Sequence, residues 1–325
     1  MTNPRLRLTA AKGMVLALLA LLTNAPDAGG AVANTPNAAT LRTKPLRLEP
    51  SGHIPHTAGS EISGLARSPG RKNLYWAIND SGNPPEILPL RANGEIASVS
   101  GKGIRIPSAS NIDWESLAID ASGNIYVCDV GDNFSRRTRL RIYMVPEPSP
   151  EAASTDSPKI VDIRYPEKST QNPPPLIHDC EAAFFFRGKL FLLTKRLQDA
   201  ATVLYRLDAM KTGSVNTLTY RDSFPIEGYV TGADISPDGN ILAVLTYNTL
   251  WLFHDFRGDD FFGGKKTAVP LKGAGQIESI VFSGYRSLLL VNETRNEIFS
   301  IVIDPHERSV RQETFTGRPR QAVRR

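Results

Sequence analysis

The sequence predicts an all-β fold, a β-propeller of five blades, and two observations carry this prediction. After about residue 40, apolar or alternating runs of roughly five to eight residues are separated by Gly, Pro, Asn and Asp, and no stretch shows sustained helical periodicity. A unit of two short strands joined by a turn also recurs five times, and such repetition is typical of propellers. The first strands of the five units are residues 62–66, 114–118, 180–184, 231–235 and 277–281.

Two further strands follow each unit, so each predicted blade has four. They are 86–92 and 96–106, 140–146 and 159–165, 202–208 and 215–224, 250–256 and 266–271, and 297–303 with 309–315. Residues 41–49 are expected to supply the outer strand that closes the ring against the last blade. A six-bladed propeller is the alternative, but no interval between the repeats has room for a hidden blade.

One position in all five first strands holds a small residue, as strands crowded around an axis require. The residues at this position are Gly64, Ser116, Ala182, Ala233 and Ser279. The two cysteines, Cys128 and Cys180, both fall in strand-like stretches. They are compatible either with one disulfide in an oxidising compartment or with two buried free thiols.

The two ends of the chain are predicted to lie outside the propeller, which spans residues 34–317. Residues 1–33 read as a secretory signal peptide, because basic residues precede the apolar run 14–22 and an Ala-Val-Ala sequence ends at Ala33. Residues 318–325 form a basic tail that we expect to be disordered. The mature protein is therefore expected to be secreted or periplasmic, monomeric and without a transmembrane segment.

The charge of the chain argues against nucleic-acid binding. The formal net charge is +5, but the predicted signal segment and the tail carry most of the excess, so the body of the propeller is close to neutral. A nucleic-acid-binding domain would show a basic patch with interleaved aromatic residues, and none is present in the body.

Five polar side chains are expected to meet in the central channel, because they occupy equivalent positions on the five inner strands. They are Ser63, Glu115, Glu181, Thr231 (with Gly232 as the alternative in this strand) and Glu278. Three glutamates in a narrow channel repel one another unless a cation or protons neutralise them. Carboxylate and hydroxyl oxygens are ligands that Ca²⁺ prefers, so a calcium site is predicted. The alternative is structural, with each glutamate accepting backbone N–H bonds from the next blade.

A second set of polar residues is predicted at the mouth of the channel where the inner strands begin. The predicted catalytic residues are His178, Asp113 and Asp132, as acid–base groups, and the predicted ligand-binding residues are Asp80, Asp129, Asn133, Asp179, Lys195, Arg196 and Tyr247. His, Lys, Arg and Tyr are not turn-forming residues, so their collection at one edge indicates a ligand site.

Several runs resemble a family of secreted bacterial β-propeller proteins: AINDSG, DWESLAIDASGNIYVCDVGDN, HDCEA and VTGADISPDG. The resemblance covers about residues 55–300. A more distant likeness is to the calcium-dependent apyrases, five-bladed propellers that place Ser, Glu, Glu, Ser and Glu on successive inner strands around one Ca²⁺. That likeness implies a Ca²⁺ ligand role for Ser63, Glu115, Glu181 and Glu278, with Thr231 in place of the second Ser.

The chain has no clear counterpart of the acidic, Gly-rich substrate loop of the apyrases. Other secreted propellers with esterase-like or phytase-like labels have a similar Glu-Gly/Ser-Leu-Ala strand, which keeps ester hydrolysis open. The sequence therefore predicts an exported propeller with a channel Ca²⁺ that hydrolyses a phosphate or carboxylic ester. The alternative is a non-enzymatic propeller that binds a small molecule, a glycan or a protein at one face.

Overall fold

The computed structural model describes residues 40–55, 61–134, 136–166, 179–196, 199, 201–304 and 309–313. These residues form five blades, each with a core of antiparallel strands that follow one another in one repeat, and this confirms the predicted five-bladed propeller. The predicted signal peptide, the basic tail and His178 lie outside the described residues. Among the described residues, no helix has the length and apolar character that a membrane span requires.

The first two blades follow the predicted order, with differences at their outer edges. Blade 1 contains β4 (Ile62–Arg67), β5 (Tyr75–Asn79), β6 (Glu86–Leu90) and β7 (Ile104–Arg105). Its outer strand is therefore much shorter than the predicted 96–106. Blade 2 contains β8 (Trp114–Ile119), β9 (Asn124–Asp129), β10 (Leu140–Pro146), β11 (Lys159–Arg164) and a fifth strand, β15 (Val215–Thr217).

Blade 3 and blade 2 share the segment that the sequence predicts as one strand, 215–224. Its first part is β15, which pairs in parallel with β11 of blade 2. Its second part is β16 (Thr219–Phe224), which completes blade 3. The other strands of blade 3 are β12 (Asp179–Phe186), β13 (Lys189–Lys195) and β14 (Thr202–Leu207).

The last two blades each have four strands of their own. Blade 4 contains β17 (Val230–Ile235), β18 (Ile241–Thr246), β19 (Thr249–His254) and β20 (Lys265–Lys272), with a 3₁₀ turn at Phe261–Gly263 before β20. Blade 5 contains β21 (Ile277–Phe282), β22 (Ser287–Asn292), β23 (Glu297–Asp304) and β24 (Ser309–Gln312). Its outer strand comes from the C-terminal side of the repeat, so the prediction that residues 41–49 supply it is wrong.

The N-terminal segment instead runs as a strap across three blades. Its first two strands, β1 (Leu41–Arg42) and β2 (Leu46–Arg47), pair in parallel with β20 of blade 4. Its third strand, β3 (Gly52–His53), pairs with β23 of blade 5. The His53 amide then donates to the carbonyl oxygen of Asn93 in blade 1 at 3.1 Å. The strap therefore connects the last two blades with the first.

The hydrophobic core consists of five apolar clusters, one between each pair of neighbouring blades. The cluster between blades 3 and 4 is rich in Phe and includes Phe184, Phe191, Phe253 and Phe261. Each inner strand contacts the next one around the ring, and β21 contacts β4 to close it. Cys128 and Cys180, in the cluster between blades 2 and 3, are buried free thiols.

The inner strands approach so closely that a side chain at either of two glycines would press on the next strand. A Cβ atom on Gly64 would lie 2.8 Å from the Leu117 amide nitrogen of the next blade, and one on Gly232 would lie 3.2 Å from the Glu278 carbonyl oxygen. The strand register places Gly232 opposite Leu245, as Gly64 is placed opposite Ile78. The small residue of the fourth repeat is therefore Gly232 and not the predicted Ala233.

We expect Gly64→Ala to destabilise the fold, because its methyl group would press on the backbone of the next inner strand. The expected loss is about 1–3 kcal/mol of unfolding free energy, the usual cost of overpacking. Urea denaturation would measure it. Gly70→Ala is the matched control, since a Cβ there meets nothing within 4 Å, and it should change the unfolding free energy by less than about 0.5 kcal/mol. Equal stability of the two variants would contradict the close approach of the inner strands.

Candidate functional site

A β-bulge occurs at the same place in all five inner strands, and it determines which side chains enter the channel. In each blade, the register between the first and second strands skips one residue of the first. A bulge redirects the side chain of the skipped residue. The skipped residues are Ser63, Glu115, Glu181, Thr231 and Glu278, the same five positions that the sequence aligns.

The two hydroxyl groups of this set bind the neighbouring inner strand. The Ser63 hydroxyl donates to the carbonyl oxygen of Trp114 at 2.6 Å, and the Thr231 hydroxyl donates to that of Ile277 at 2.8 Å. Among the described residues, the three glutamates accept no backbone N–H from the next blade. The connections between inner strands that the structural alternative assigned to the glutamates are made by hydroxyl groups instead. Ser63 and Thr231 thus stabilise the ring, and nothing in their contacts favours the predicted role as Ca²⁺ ligands.

Five carboxylates converge at the mouth where the inner strands begin. Oxygen atoms of Asp80, Asp113 and Glu115 lie within 4.8 Å of one another, and so do oxygen atoms of Glu115, Asp179 and Glu181. Glu115 belongs to both groups. The fold explains this convergence, because Asp80 follows β5, Asp113 precedes β8 and Asp179 begins β12, and these strand ends share one face of the propeller. We call these five residues the carboxylate cluster.

Two cations and one glycine shape the surroundings of the carboxylate cluster. The Lys195 ammonium lies 2.9 Å from Glu181 Oε1, and 5.7 Å from the centre of the Tyr247 ring. The Arg137 guanidinium lies 2.7 Å from Asp129 Oδ1, which also accepts the Asp113 amide at 3.0 Å. A Cβ on Gly131 would lie 2.5 Å from both Asp113 Oδ2 and Glu115 Oε1, so only glycine leaves room for these oxygens.

One oxygen of the carboxylate cluster is buried without a partner. Asp179 is fully buried, and its Oδ1 accepts the Asp132 amide at 2.8 Å. Its Oδ2 has no hydrogen-bond donor among the described residues, although Glu115 and Glu181 oxygens are close by. A buried, unpartnered carboxylate oxygen costs several kcal/mol unless a proton or a cation supplies the missing partner.

The pKa values of Asp113, Glu115 and Glu181 rise because charged carboxylates are disfavoured in this cluster. Burial, followed by repulsion from Asp80 and Asp179, raises the pKa of Asp113 to about 6. Burial and repulsion from Glu181 raise the pKa of Glu115 well above its ordinary value. Burial also raises the pKa of Glu181, although Lys195 opposes the shift. Cations stabilise ionised carboxylates and so reverse such shifts.

The other predicted site residues are divided among several environments. Glu278 lies outside the carboxylate cluster and shares a hydrogen bond with Glu293, and burial and Glu293 raise its pKa to about 9. Both oxygens of Asp132 accept the Arg137 amide at 3.2 Å, so its carboxylate holds the loop that follows it. Arg196 forms an ion pair with Asp199, and Asn133 is exposed.

Two residues that shape this site are not among the predicted site residues. Arg137, which pairs with Asp129, stands in an ordinary basic loop, and its partner depends on how the loop folds. The sequence does contain a signal for Gly131, because it lies between Asp129 and Asp132. A glycine between acidic residues allows carboxylates to approach the backbone.

Comparisons with known proteins establish no family for this chain. No family model matches the chain, and no curated protein matches it. The PQQ-bound aldose sugar dehydrogenase from Streptomyces coelicolor is 12% identical, with a TM-score of 0.46, and the alignment covers 78% of this chain and 96% of that one. A putative 6-phosphogluconolactonase from Bacteroides uniformis is 12% identical, with a TM-score of 0.41 over 77% of this chain and 70% of the other.

A third solved structure is the Cps50 (Swd1) β-propeller domain from Myceliophteria thermophila. It is 9% identical with a TM-score of 0.38, covering 79% of this chain and 69% of that chain. The number of blades and the nature of the site follow from this chain's own sheets and side chains.

Without added metal, we expect the protein to lose stability as the pH rises from about 4 to about 6. The folded pKa of Asp113, about 6, exceeds the ordinary value near 4, so the folded state binds more protons in this window and deprotonation favours unfolding. The raised pKa of Glu181, about 8, extends the loss to higher pH. Urea denaturation in a chelator at several pH values would measure the slope.

Asp113→Asn is the variant that isolates this effect, because its amide carries no charge at any of these pH values. Its unfolding free energy should fall less steeply between pH 4 and 6 than that of the wild type. Asp156→Asn, at an exposed acid away from the site, should keep the wild-type slope. A wild-type slope in Asp113→Asn would show that this carboxyl is not perturbed by its neighbours.

Proposed function

We propose that the carboxylate cluster binds a divalent cation, Ca²⁺ in the first instance. The observation that carries this proposal is the fully buried Asp179, which has an Oδ2 without a hydrogen-bond partner among the described residues and a carboxylate oxygen within 4.8 Å of oxygens of Glu115 and Glu181. The donor set consists of oxygen atoms alone, which suits Ca²⁺ better than Zn²⁺. The ligands we assign are Asp80, Asp113, Glu115 and Asp179.

Glu181 has a different role in this proposal. Lys195 already neutralises it at 2.9 Å, so its charge is least in need of a metal. The buried pair instead holds Lys195 beside Tyr247, at the inner edge of the cluster. Glu115 is the residue common to both groups of carboxylates, and it is therefore the central ligand of the proposed site.

The proposed activity is metal-assisted hydrolysis of a phosphate or carboxylic ester at this mouth. A bound cation would polarise the ester oxygen and supply an activated water. Lys195 and Arg137 are the cationic groups of the site, and they would orient an anionic substrate against the otherwise acidic surface. The polar residues that surround the cluster come from several blades, as is usual for ligand sites at propeller mouths.

We further propose that the protein works outside the cytoplasm, because residues 1–33 have the order of segments found in secretory signal peptides. Calcium sites of extracellular modules have dissociation constants of about 0.1–1 mM, which suits a compartment rich in Ca²⁺. Mass spectrometry of the exported protein should find an N-terminus near Ala33. An intact Met1 in that fraction would contradict export by this signal.

Added Ca²⁺ should raise the melting temperature of the chelator-treated protein. A ligand present at about 100 times its dissociation constant stabilises the folded state by about 2.7 kcal/mol, which corresponds to roughly 5–10 °C for a domain of this size. Asp179→Asn should melt higher than the wild type in chelator, because its amide can donate to a neighbouring carboxylate. The same variant should respond less to Ca²⁺.

Gly131→Ala tests the same site from the backbone, since its methyl group would displace the Asp113 and Glu115 oxygens. It should lose most of the response to Ca²⁺, while Gly284→Ala, where a Cβ meets nothing closer than 3.9 Å, should keep it. If calorimetry detects no Ca²⁺ binding to the wild type, or if Asp179→Asn responds as the wild type does, the proposed cation site is wrong.

Hydrolysis is tested separately with p-nitrophenyl phosphate and p-nitrophenyl acetate. The proposal expects Ca²⁺-dependent turnover of at least one ester, which Asp179→Asn should reduce in parallel with its Ca²⁺ affinity. A protein that binds Ca²⁺ but turns over neither ester would instead support the second candidate function, Ca²⁺-dependent binding of a glycan or protein. Exposed apolar side chains near this mouth, Ile112 and Phe134, favour that alternative.

A further inference from the structure

A cavity of about 490 Å³ lies at the end of the channel opposite the carboxylate cluster. All five blades line it, with residues from the ends of the inner strands and the turns that follow. Its volume is within the range of small-molecule sites, about 300–1,000 Å³. Much of its wall is apolar, including Leu65, Leu117, Ile119, Phe185 and Ile235.

Two arginines line this cavity. Arg67 is the last residue of β4 and is half-buried, and Arg187 is exposed in the turn after β12. Among the described residues, neither guanidinium forms a hydrogen bond or an ion pair. Arg187 lies over the Phe186 ring, with 4.9 Å between the guanidinium carbon and the ring centre, so an aromatic surface supports this cation at the rim.

The backbone conformation at Arg187 is unusual, and it also supports a ligand site at this mouth. Arg187 has a φ of 48° and Gly188 a φ of 77°, so both central residues of this two-residue hairpin turn have positive φ. Asn-Gly or Gly-Gly normally occupies such a turn, because other side chains are strained there. Strain of this kind is common at ligand sites, where the surrounding structure holds it.

The carboxylates around the cavity are already satisfied, in contrast to the arginines. Each of the three accepts at least two hydrogen bonds from its own turn or from the next inner strand. Asp120 accepts the amides of Ser122 and Asn124, Asp238 accepts the Ser236 hydroxyl and the Asn240 amide, and Asp234 accepts the amides of Ile235 and Phe282. The groups at this mouth that still lack hydrogen-bond partners among the described residues are therefore donors, the guanidinium groups of the two arginines.

The negative charge of one carboxylate that lines the cavity, Asp234, is also reduced. Burial raises the pKa of Asp234 to about 7, although two amides and Arg67 oppose the shift. At neutral pH, this acid therefore carries only part of a negative charge against Arg67. An acceptor from outside the chain would meet little competition for that guanidinium.

We propose that this second mouth binds a small organic anion, with an apolar body against the cavity wall and one carboxylate, sulfonate or phosphate group between Arg67 and Arg187. Charged hydrogen bonds of this kind are the strong ones in proteins, and arginine suits planar or tetrahedral oxyanions because of its fixed fork of donors. The site is separate from the carboxylate cluster and takes a ligand of opposite charge.

A pair of naphthalene probes tests the proposal. 8-Anilinonaphthalene-1-sulfonate carries the anionic group, and N-phenyl-1-naphthylamine is the same body without it. We expect the sulfonate to bind at one site per chain, with increased fluorescence, and to bind at least tenfold more tightly than the neutral probe. Arg67→Met and Arg187→Met should each weaken sulfonate binding about tenfold, as the loss of a charged hydrogen bond does, without weakening the neutral probe.

Three further variants separate this site from other effects. Arg257→Met removes an exposed arginine outside the cavity and should leave binding unchanged. Ala121→Trp places an indole at the rim of the cavity and should weaken both probes. Asp179→Asn should bind the sulfonate as the wild type does, so failure of the cation site and failure of this one are distinguishable. Melting curves must show that each variant is folded, because partly unfolded proteins also bind this dye.

The proposal is overturned if the wild type binds no sulfonate probe, or if both probes bind with equal affinity. It is also overturned if both arginine variants retain wild-type affinity for the sulfonate, since the cavity would then be an apolar space without an anion site.

Discussion

The close approach of five inner strands around one axis is the constraint on which the rest of the structure depends. It leaves little space for a side chain at Gly64 and Gly232, where a Cβ would press on the backbone of the next blade. It also brings hydroxyl groups within reach of neighbouring carbonyls, as with Ser63 and Trp114. Immediately before each small residue lies the bulged position that faces the channel. The packing requirement and the chemistry of the channel thus arise from adjacent residues of one repeat.

The same geometry concentrates negative charge at one mouth of the channel, and this charge lowers the stability of the folded protein. The carboxylate cluster has one direct cationic partner, Lys195, and a fully buried oxygen at Asp179 that has no donor among the described residues. Such an arrangement destabilises a folded protein unless another species neutralises it. Sites that are costly in the free protein and satisfied by a ligand are common where function, rather than stability, determined the residues.

Repetition made the main features of this fold predictable. The five inner strands and the channel position of Glu115, Glu181 and Glu278 follow from aligning the repeats. Features that depend on one irregularity were harder to predict. The small residue of the fourth repeat was predicted at Ala233 instead of Gly232, because the predicted strand began at residue 231 whereas β17 begins at Val230. The pairing of Glu278 with Glu293, and of Arg137 with Asp129, depends on loop conformations that have no repeat to compare.

The N-terminal strap has a consequence for the order in which the propeller is completed. Ser51 bonds to the carbonyl of Ile298, 247 residues away, so the first part of the described chain finds its partners only after the last blade exists. Contacts of such sequence separation slow folding, because the chain must close a long loop before they form. During that interval, the strand edges of blades 4 and 5 are uncovered and open to pairing with other chains. Pairing of the N-terminal strap with blades 4 and 5 is therefore also the step that protects their strand edges from aggregation.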